Sequence, residues 1–116
     1  MANTIGTPTV VNARAQFQGL FSDMWTVQAT ITDQDAVAAT DTIRFSLTVP
    51  GVALGDIVMG LSLTNDLSDG TDQAIVQAFV TAANTVAVQV AADVGQYAAD
   101  DLNGAVVRMV IVRPLF

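Results

Sequence analysis

The sequence predicts an all-β domain, either an antiparallel β-sandwich or a jelly-roll-like barrel of about six to eight short strands. Apolar and polar residues alternate over several short segments, which is the period of a half-buried strand. Turn residues separate these segments, and no stretch has a convincing helical period. The chain has 116 residues, and folding at that length buries about two-thirds of the unfolded surface, so one core is feasible.

An irregular N-terminal arm is predicted over residues 1–23, ahead of a sandwich domain at 24–116. Gly6, Pro8 and Asn12 break any period in the arm. Its apolar side chains are nevertheless prominent, and they are Val10, Val11, Phe17, Leu20 and Phe21. Two interpretations stay open: the arm packs on another molecule through these five interaction residues, or it lies along its own domain as an irregular edge strand.

Six segments then carry the strand pattern. They cover 24–32, 41–49, 56–63, two strands within 74–91 around a turn at 82–84, and 105–112. The second is the clearest, because its residues are β-branched or aromatic, as a pleated surface prefers. The side chains predicted to share one face of a strand are Val27, Ala29 and Ile31, then Ile43, Phe45, Leu47 and Val49, then Ile57, Met59, Leu61 and Leu63, and then Val86, Val88 and Val90.

The connections are predicted from turn chemistry. Pro50 and Gly51 fit the central positions of a type II turn, where proline presets φ and glycine supplies a positive φ. Gly55 and Asp56 mark the start of the next strand. The segments 33–41, 64–73 and 92–104 read as polar loops, the last with room for one helical turn.

The charged groups are unusual in kind. The chain has no Lys, Glu, His or Cys, and eleven Asp and four Arg give a net charge of −7. Nucleic acid is not an expected partner, because the four arginines are scattered along the sequence rather than clustered. An anionic membrane surface would repel the chain. We expect no disulfide and no thiolate metal site.

The same inventory predicts that the protein is not an enzyme and carries no cofactor. A Ser/His or Cys/His nucleophile system cannot be built without His and Cys. The groups that could move a proton are the aspartates and Tyr97. Paired carboxylates are conceivable at Asp33 with Asp35 and at Asp100 with Asp101. The alternative is that all four aspartates are solvated turn or cap residues in loops.

One loop resembles a cation site in composition. Asp66, Asp69 and Asp72 flank Gly70 at three-residue spacing, and carboxylates so placed could supply oxygen ligands to Ca²⁺. The alternate-position ligands and closing Glu of an EF-hand are missing, and Asx-turn residues account for the loop without a metal. The three aspartates are therefore a candidate calcium site, with no metal as the main expectation.

The N-terminal residues lack the basic and apolar regions of a secretory signal, so we expect synthesis in the cytoplasm without a membrane anchor. Outward strand positions carry Thr, Ser, Gln and Ala where monomers usually place Lys and Glu. Such a weakly charged surface suits burial against another subunit. We therefore expect a homo-oligomer.

Three segments resemble a β-sandwich module found in structural proteins of tailed bacteriophages: FSLTVPGVALGDIVMGLSL, IVQAFVTAANTVAVQVA and VVRMVIVRP. The shared elements are a VPG-x3-GD turn, a strand of alternating Val and Ala, and a last strand that ends in Val-Ile-x-Arg. They fall on Val49, Pro50, Gly51, Gly55, Asp56, Ala78, Val80, Ala82, Ala83, Thr85, Val86, Val88, Val112 and Arg113. The resemblance covers residues 43 to 113 and leaves the arm unassigned.

The resemblance implies a head decoration, or cement, protein on the capsid exterior of a virion. Such a protein clamps neighbouring subunits of the major capsid (coat) protein, and a homotrimer is the expected state. Two alternatives remain open, namely a phage tail, baseplate or fibre component, and a carbohydrate-binding β-sandwich. The single Trp25 and single Tyr97 count against sugar binding, because sugar platforms usually need several exposed aromatic rings. The resemblance carries no catalytic residues.

Overall fold

The computed structural model describes residues 3–12, 21–65, 68–69, 72–92 and 95–115, and these form two antiparallel sheets. The strands are β1 (Thr4–Ile5), β2 (Thr9–Asn12), β3 (Phe21–Asp33), β4 (Thr42–Thr48), β5 (Ile57–Leu63), β6 (Ser68–Asp69), β7 (Asp72–Ala82), β8 (Thr85–Ala92) and β9 (Val106–Pro114). No helix occurs among the described residues. The predicted all-β class is confirmed, and because neither sheet closes on itself the architecture is that of a sandwich, not a barrel.

The first sheet has β3 and β9 at its centre. β5 pairs with the other side of β9, while β1 and β2 pair one after the other with the same edge of β3. The second sheet has the order β4-β8-β7-β6. β3 and β9 pair over most of their length although Gln28 and Arg108, which are partners in the register, lie 80 positions apart in the sequence.

The core lies between the two sheets and is built from alternate residues, as an antiparallel sandwich requires. Val27, Ala29 and Ile31 of β3 are buried, and their neighbours Thr26, Gln28 and Thr30 are exposed. The alternation predicted for β4 is also confirmed, with Phe45, Leu47 and Val49 buried and Ile43 partly buried. On β8, Val86, Val88 and Val90 are fully buried.

The predicted inward face of β5 is correct in its second half and wrong in its first. The pairing of β5 with β9 shifts between Val58 and Gly60, and such a bulge reverses the alternation on one side of it. Leu61 and Leu63 pack against the core as expected, but Val58 also does so. Ile57 and Met59 are exposed instead.

The turn that contains Pro50 and Gly51 has the predicted type II geometry. Val52 N–H donates to Val49 C=O at 3.4 Å, and Gly51 has φ +98°. A second turn follows directly, in which Asp56 N–H donates to Ala53 C=O and Gly55 has φ +99°. The predicted hairpin between β7 and β8 is present.

The described part of the arm lies along its own domain. Residues 4–5 and 9–12 form two short edge strands on β3, and Ile5 and Val10 pack against the core. This arrangement is that of the second interpretation, an irregular edge strand. Val11 points away from the core, Phe21 begins β3, and Phe17 and Leu20 lie outside the described residues.

Candidate functional site

The outer face of the first sheet carries two rows of side chains that cross β2, β3, β9 and β5. The pairing registers align Thr9, Gln28, Arg108 and Ser62 in one row. The same registers align Val11, Thr26, Val110 and Gly60 in the next row. We call these eight residues the outer-face rows. Arg108 is the single charged side chain in them, so this broad face is almost uncharged.

A groove of about 570 Å³ lies over the outer-face rows and is lined by all eight of their residues. Gly60 leaves its floor open, because a Cβ built there would meet no atom within 4 Å. Val11, which is 56% exposed, gives the groove an apolar side at β2. The volume is that of an ordinary small-ligand or side-chain site.

Arg108 is held across the groove by one neighbour. Its Nε donates to Gln28 Oε1 at 3.3 Å, and no acidic side chain pairs with it among the described residues. Arg44 on the second sheet has the same kind of partner, since its Nε donates to Gln89 Oε1 at 3.0 Å. The Arg44 guanidinium also lies 5.0 Å from the centre of the Phe79 ring.

Exposed apolar side chains extend the outer-face rows toward one end of the first sheet. Ile57 and Met59 stand at the start of β5, Leu54 precedes them in the turn, and Leu115 follows β9. Each of these is about half exposed or more. Ile57 pairs in register with Val112 of β9, so this apolar end adjoins the groove.

Arg113 and Asp56 form a clasp at the same end of the sandwich. Arg113 Nε and Nη2 donate to the two carboxylate oxygens of Asp56 at 2.9 and 2.8 Å, and Nη2 also donates to Gly51 C=O at 2.9 Å. The guanidinium carbon lies 5.2 Å from the centre of the Trp25 ring. Asp56 and Arg113, two of the residues named in the sequence comparison above, therefore have a structural role here.

The clasp also sets the ionisation of its members. Burial acts to raise the pKa of Asp56, but hydrogen bonds from Arg113 and from Ala53 N–H, together with the Arg113 charge, outweigh it and leave that pKa below its ordinary value. The hydrogen bond to Asp56 raises the pKa of Arg113. Both groups are thus held in their charged forms at neutral pH.

A buried amide organises the loops at the opposite end. Gln34 is 1% exposed, and its Nε2 donates to the carbonyls of Asp35 and Ala98 while its Oε1 accepts from Leu102 N–H. Tyr97, also buried, donates its hydroxyl to Asp101 Oδ2. These contacts fasten the loop after β3 to the loop before β9.

The candidate acid pairs are parts of this loop structure. Asp101 accepts the Tyr97 hydroxyl and Asp100 Oδ1 accepts from Asn103 Nδ2 at 3.1 Å, so each contacts a partner other than its sequence neighbour. Asp35 N–H donates to Asn3 Oδ1 at 2.7 Å. Asp33 faces Thr4 in the register of β1 and β3. The contacts described for these aspartates are those of loop and strand-end residues.

The candidate calcium site falls largely beyond the described residues. Asp66 lies outside them, and Asp69 and Asp72 are described as backbone partners in the pairing of β6 with β7. Within the part of the chain that is described, no three His, Cys, Asp or Glu side chains come together as a metal site. Those same residues include no helix of the length and hydropathy that a bilayer span requires.

Alternation within single strands predicted which residues point outward, but not that four strands align them into a groove. The register between strands of distant sequence decides that alignment, and one sequence holds no direct signal for it. The chain matches no protein-family model, no curated protein and no solved structure.

Proposed function

We propose that this chain is a structural virion protein that decorates a bacteriophage capsid and stabilises it by clamping neighbouring coat subunits. The observation that best supports the proposal is the surface formed by the outer-face rows, whose eight residues carry one charge and adjoin exposed apolar side chains. Surfaces of that kind are typical of contact with another protein. The resemblance of residues 43 to 113 to phage structural modules gives the class of partner.

The mechanism is binding linkage. A protein that binds the assembled shell and not its separate subunits stabilises the shell by the free energy of that binding. The paired sheets provide a rigid body, and the clasp and the Gln34 network hold the loops at its two ends. A homotrimer would present three such bodies at once, which raises avidity without new contacts.

The proposed role needs no catalysis and no cofactor. Asp56, Asp100 and Asp101 are engaged in hydrogen bonds that fix turns and loops. The chain contains no His or Cys to serve as a nucleophile or its base. In this proposal the protein acts only through the binding surface that it presents to other proteins.

A tail, baseplate or fibre component remains the second candidate from the same class, because the same surface would serve it. The carbohydrate-binding alternative is less well supported. Trp25 is 1% exposed and Tyr97 is fully buried, so neither ring is open to stack on a sugar. A glycan-array screen that found a specific binder would restore that alternative.

Electron microscopy of the particle that contains this chain is the decisive experiment. The proposal expects many copies at symmetry-related positions on the outside of the shell. A few copies confined to the tail would favour the second candidate. The absence of the chain from any particle would overturn both.

A further inference from the structure

We propose that the groove over the outer-face rows binds a carboxylate side chain carried on an extended segment of a partner protein. In the proposed function that segment belongs to the coat protein, and this identification alone rests on the proposed function. The binding chemistry follows from the groove itself. The groups that would contact the bound segment are Arg108, Gln28, Gly60 and the apolar side chains of Val11 and Val110.

The charge of the groove identifies the group that it recognises. Arg108 uses Nε for Gln28, and its two terminal nitrogens donate to no acceptor among the described residues. Those nitrogens form a planar pair that matches the two oxygens of a carboxylate. The other groove side chains are uncharged, so a carboxylate would meet no competing anion of this face.

The neighbouring side chains indicate what carries the carboxylate. Val11 and Val110 lie in the row beside Arg108. They can therefore contact apolar side chains of the partner segment that flank its acidic residue. The groove crosses four strands, which at a spacing of about 4.8 Å makes it roughly 14 Å long. An extended chain rises about 3.4 Å per residue, so about four residues span it.

A partner of different sequence fits better than a second copy. None of the residues that line the groove is acidic, so two copies brought together at this face would offer no carboxylate to Arg108. They would also place two Arg108 side chains near each other if they met across a two-fold axis. We therefore assign the groove to a foreign acidic segment.

The test is a nuclear magnetic resonance titration of the ¹⁵N-labelled full chain at about 10 mM salt, where screening is weak. The probe is the capped pentapeptide Ac-Val-Ala-Asp-Ala-Val-NH₂, and its matched control has Asn in place of Asp. We expect saturable shifts at the amides of Gln28, Gly60 and Arg108. The Asp peptide should bind about fivefold or more tightly than the Asn peptide, because a hydrogen bond to an ionised carboxylate is the stronger one.

Two variants and one control locate the site. Arg108→Gln should abolish the preference for Asp over Asn, and Gly60→Val should weaken both peptides by filling the floor. Arg44→Gln changes the net charge equally and removes a guanidinium with the same kind of glutamine partner, so it should bind like the unmodified protein. Spectra of each variant without peptide check that the fold is retained.

Three results would overturn the proposal. The first is no shift at the groove with either peptide. The second is an equal loss of binding in Arg108→Gln and Arg44→Gln, which would mean that only net charge matters. The third is a shift of the groove amides with protein concentration alone, which would assign the groove to a second copy. Failure of the proposed virion role with peptide binding intact would leave the groove assignment standing.

Discussion

Arg113 donates two hydrogen bonds to the carboxylate of Asp56, and this pair joins the end of β9 to the turn that begins β5. The Asp56 side chain is only 4% exposed, whereas that of Arg113 is 36% exposed. Asp56 therefore depends on the pair more than Arg113 does. Its Oδ2 also accepts from Ala53 N–H at 2.8 Å, so the same carboxylate shapes the turn.

We expect Asp56→Asn to destabilise the fold by about 1.5–3 kcal/mol, the usual loss for hydrogen bonds to a charged group. Denaturant unfolding at pH 7 measures it. Because the pKa of Asp56 is lowered from about 3.8 by folding, its stabilising contribution is present above that pH and is lost as pH falls through the lower folded-state value. The stability difference between the two proteins should therefore be constant above about pH 5 and shrink below pH 4. A difference that grows on acidification would contradict the assigned pairing.

The second prediction concerns Gly51. Gly51→Val would force a β-branched residue to φ +98° and would place its Cβ 3.4 Å from Cζ2 of Trp25, so we expect a loss of about 1–3 kcal/mol. Thermal unfolding measures it. Gly60→Val is the matched control, because Gly60 lacks a positive φ and has open space around it. Equal melting temperatures for Gly51→Val and the unmodified protein would refute the type II turn as a constraint.

The third prediction concerns the buried amide of Gln34. Gln34→Met keeps a similar shape but leaves two carbonyls and the Leu102 N–H without their partner, and an unsatisfied buried group costs about 1–3 kcal/mol. We expect a loss of at least about 2 kcal/mol in denaturant unfolding. Gln96→Met in the loop before β9 is the control, because Gln96 is exposed and such surface changes stay within about 0.5 kcal/mol. Similar stabilities for the two variants would show that the network contributes little.

The fourth prediction is that the free protein is an oligomer, with a trimer expected. The apolar end of the first sheet, beside the groove, is exposed, so self-association through it buries apolar surface that water would otherwise cover. Light scattering at micromolar concentration measures the mass. A value near 12.1 kDa, the mass of one chain, would contradict this prediction.

The fifth prediction concerns the arm. Deletion of residues 2–16 removes β1 and β2, which cover one edge of β3, and removes Val10 and Val11. We expect the truncated domain to fold with lower stability and to lose part of its trimer assembly or its shell attachment. Circular dichroism, sedimentation and a pull-down on undecorated shells measure these three properties. Unchanged mass together with unchanged shell binding would show that the contact lies elsewhere on the sandwich.

The six main strands could be predicted because their alternation is local. Ile31 and Phe45, for example, are buried at positions that the two-residue alternation of a strand predicts to face the core. The bulge in β5 could not be predicted, because it depends on how Val58 and Gly60 pair with β9, and the sequence around Gly60 still alternates. Strand β2 could not be predicted either, because its four residues, Thr9–Asn12, are too few to show a clear alternation.

The candidate site was harder to predict from the sequence than the fold was. Arg108 stands in an apolar run that holds no signal of a partner, and the Gln28 side chain that it contacts belongs to a strand 80 positions earlier. The joint position of Asp56 and Arg113 is similar, with 57 positions between them. Both pairs are created by sheet register, which is a property of the whole fold and not of any segment.

The central place of β9 in the first sheet has a consequence for how the protein is made. β3 leaves the ribosome early and exposes its apolar side chains. Its main partner, β9, is synthesised about eighty residues later. Until β9 has left the ribosome, β3 and β5 lack their shared neighbour, so the first sheet cannot assemble and the nascent chain is exposed to aggregation. Folding dominated by such distant pairings is slow, typically milliseconds to seconds. A chaperone that holds the growing chain would therefore raise the yield of folded protein, and rapid overexpression would lower it.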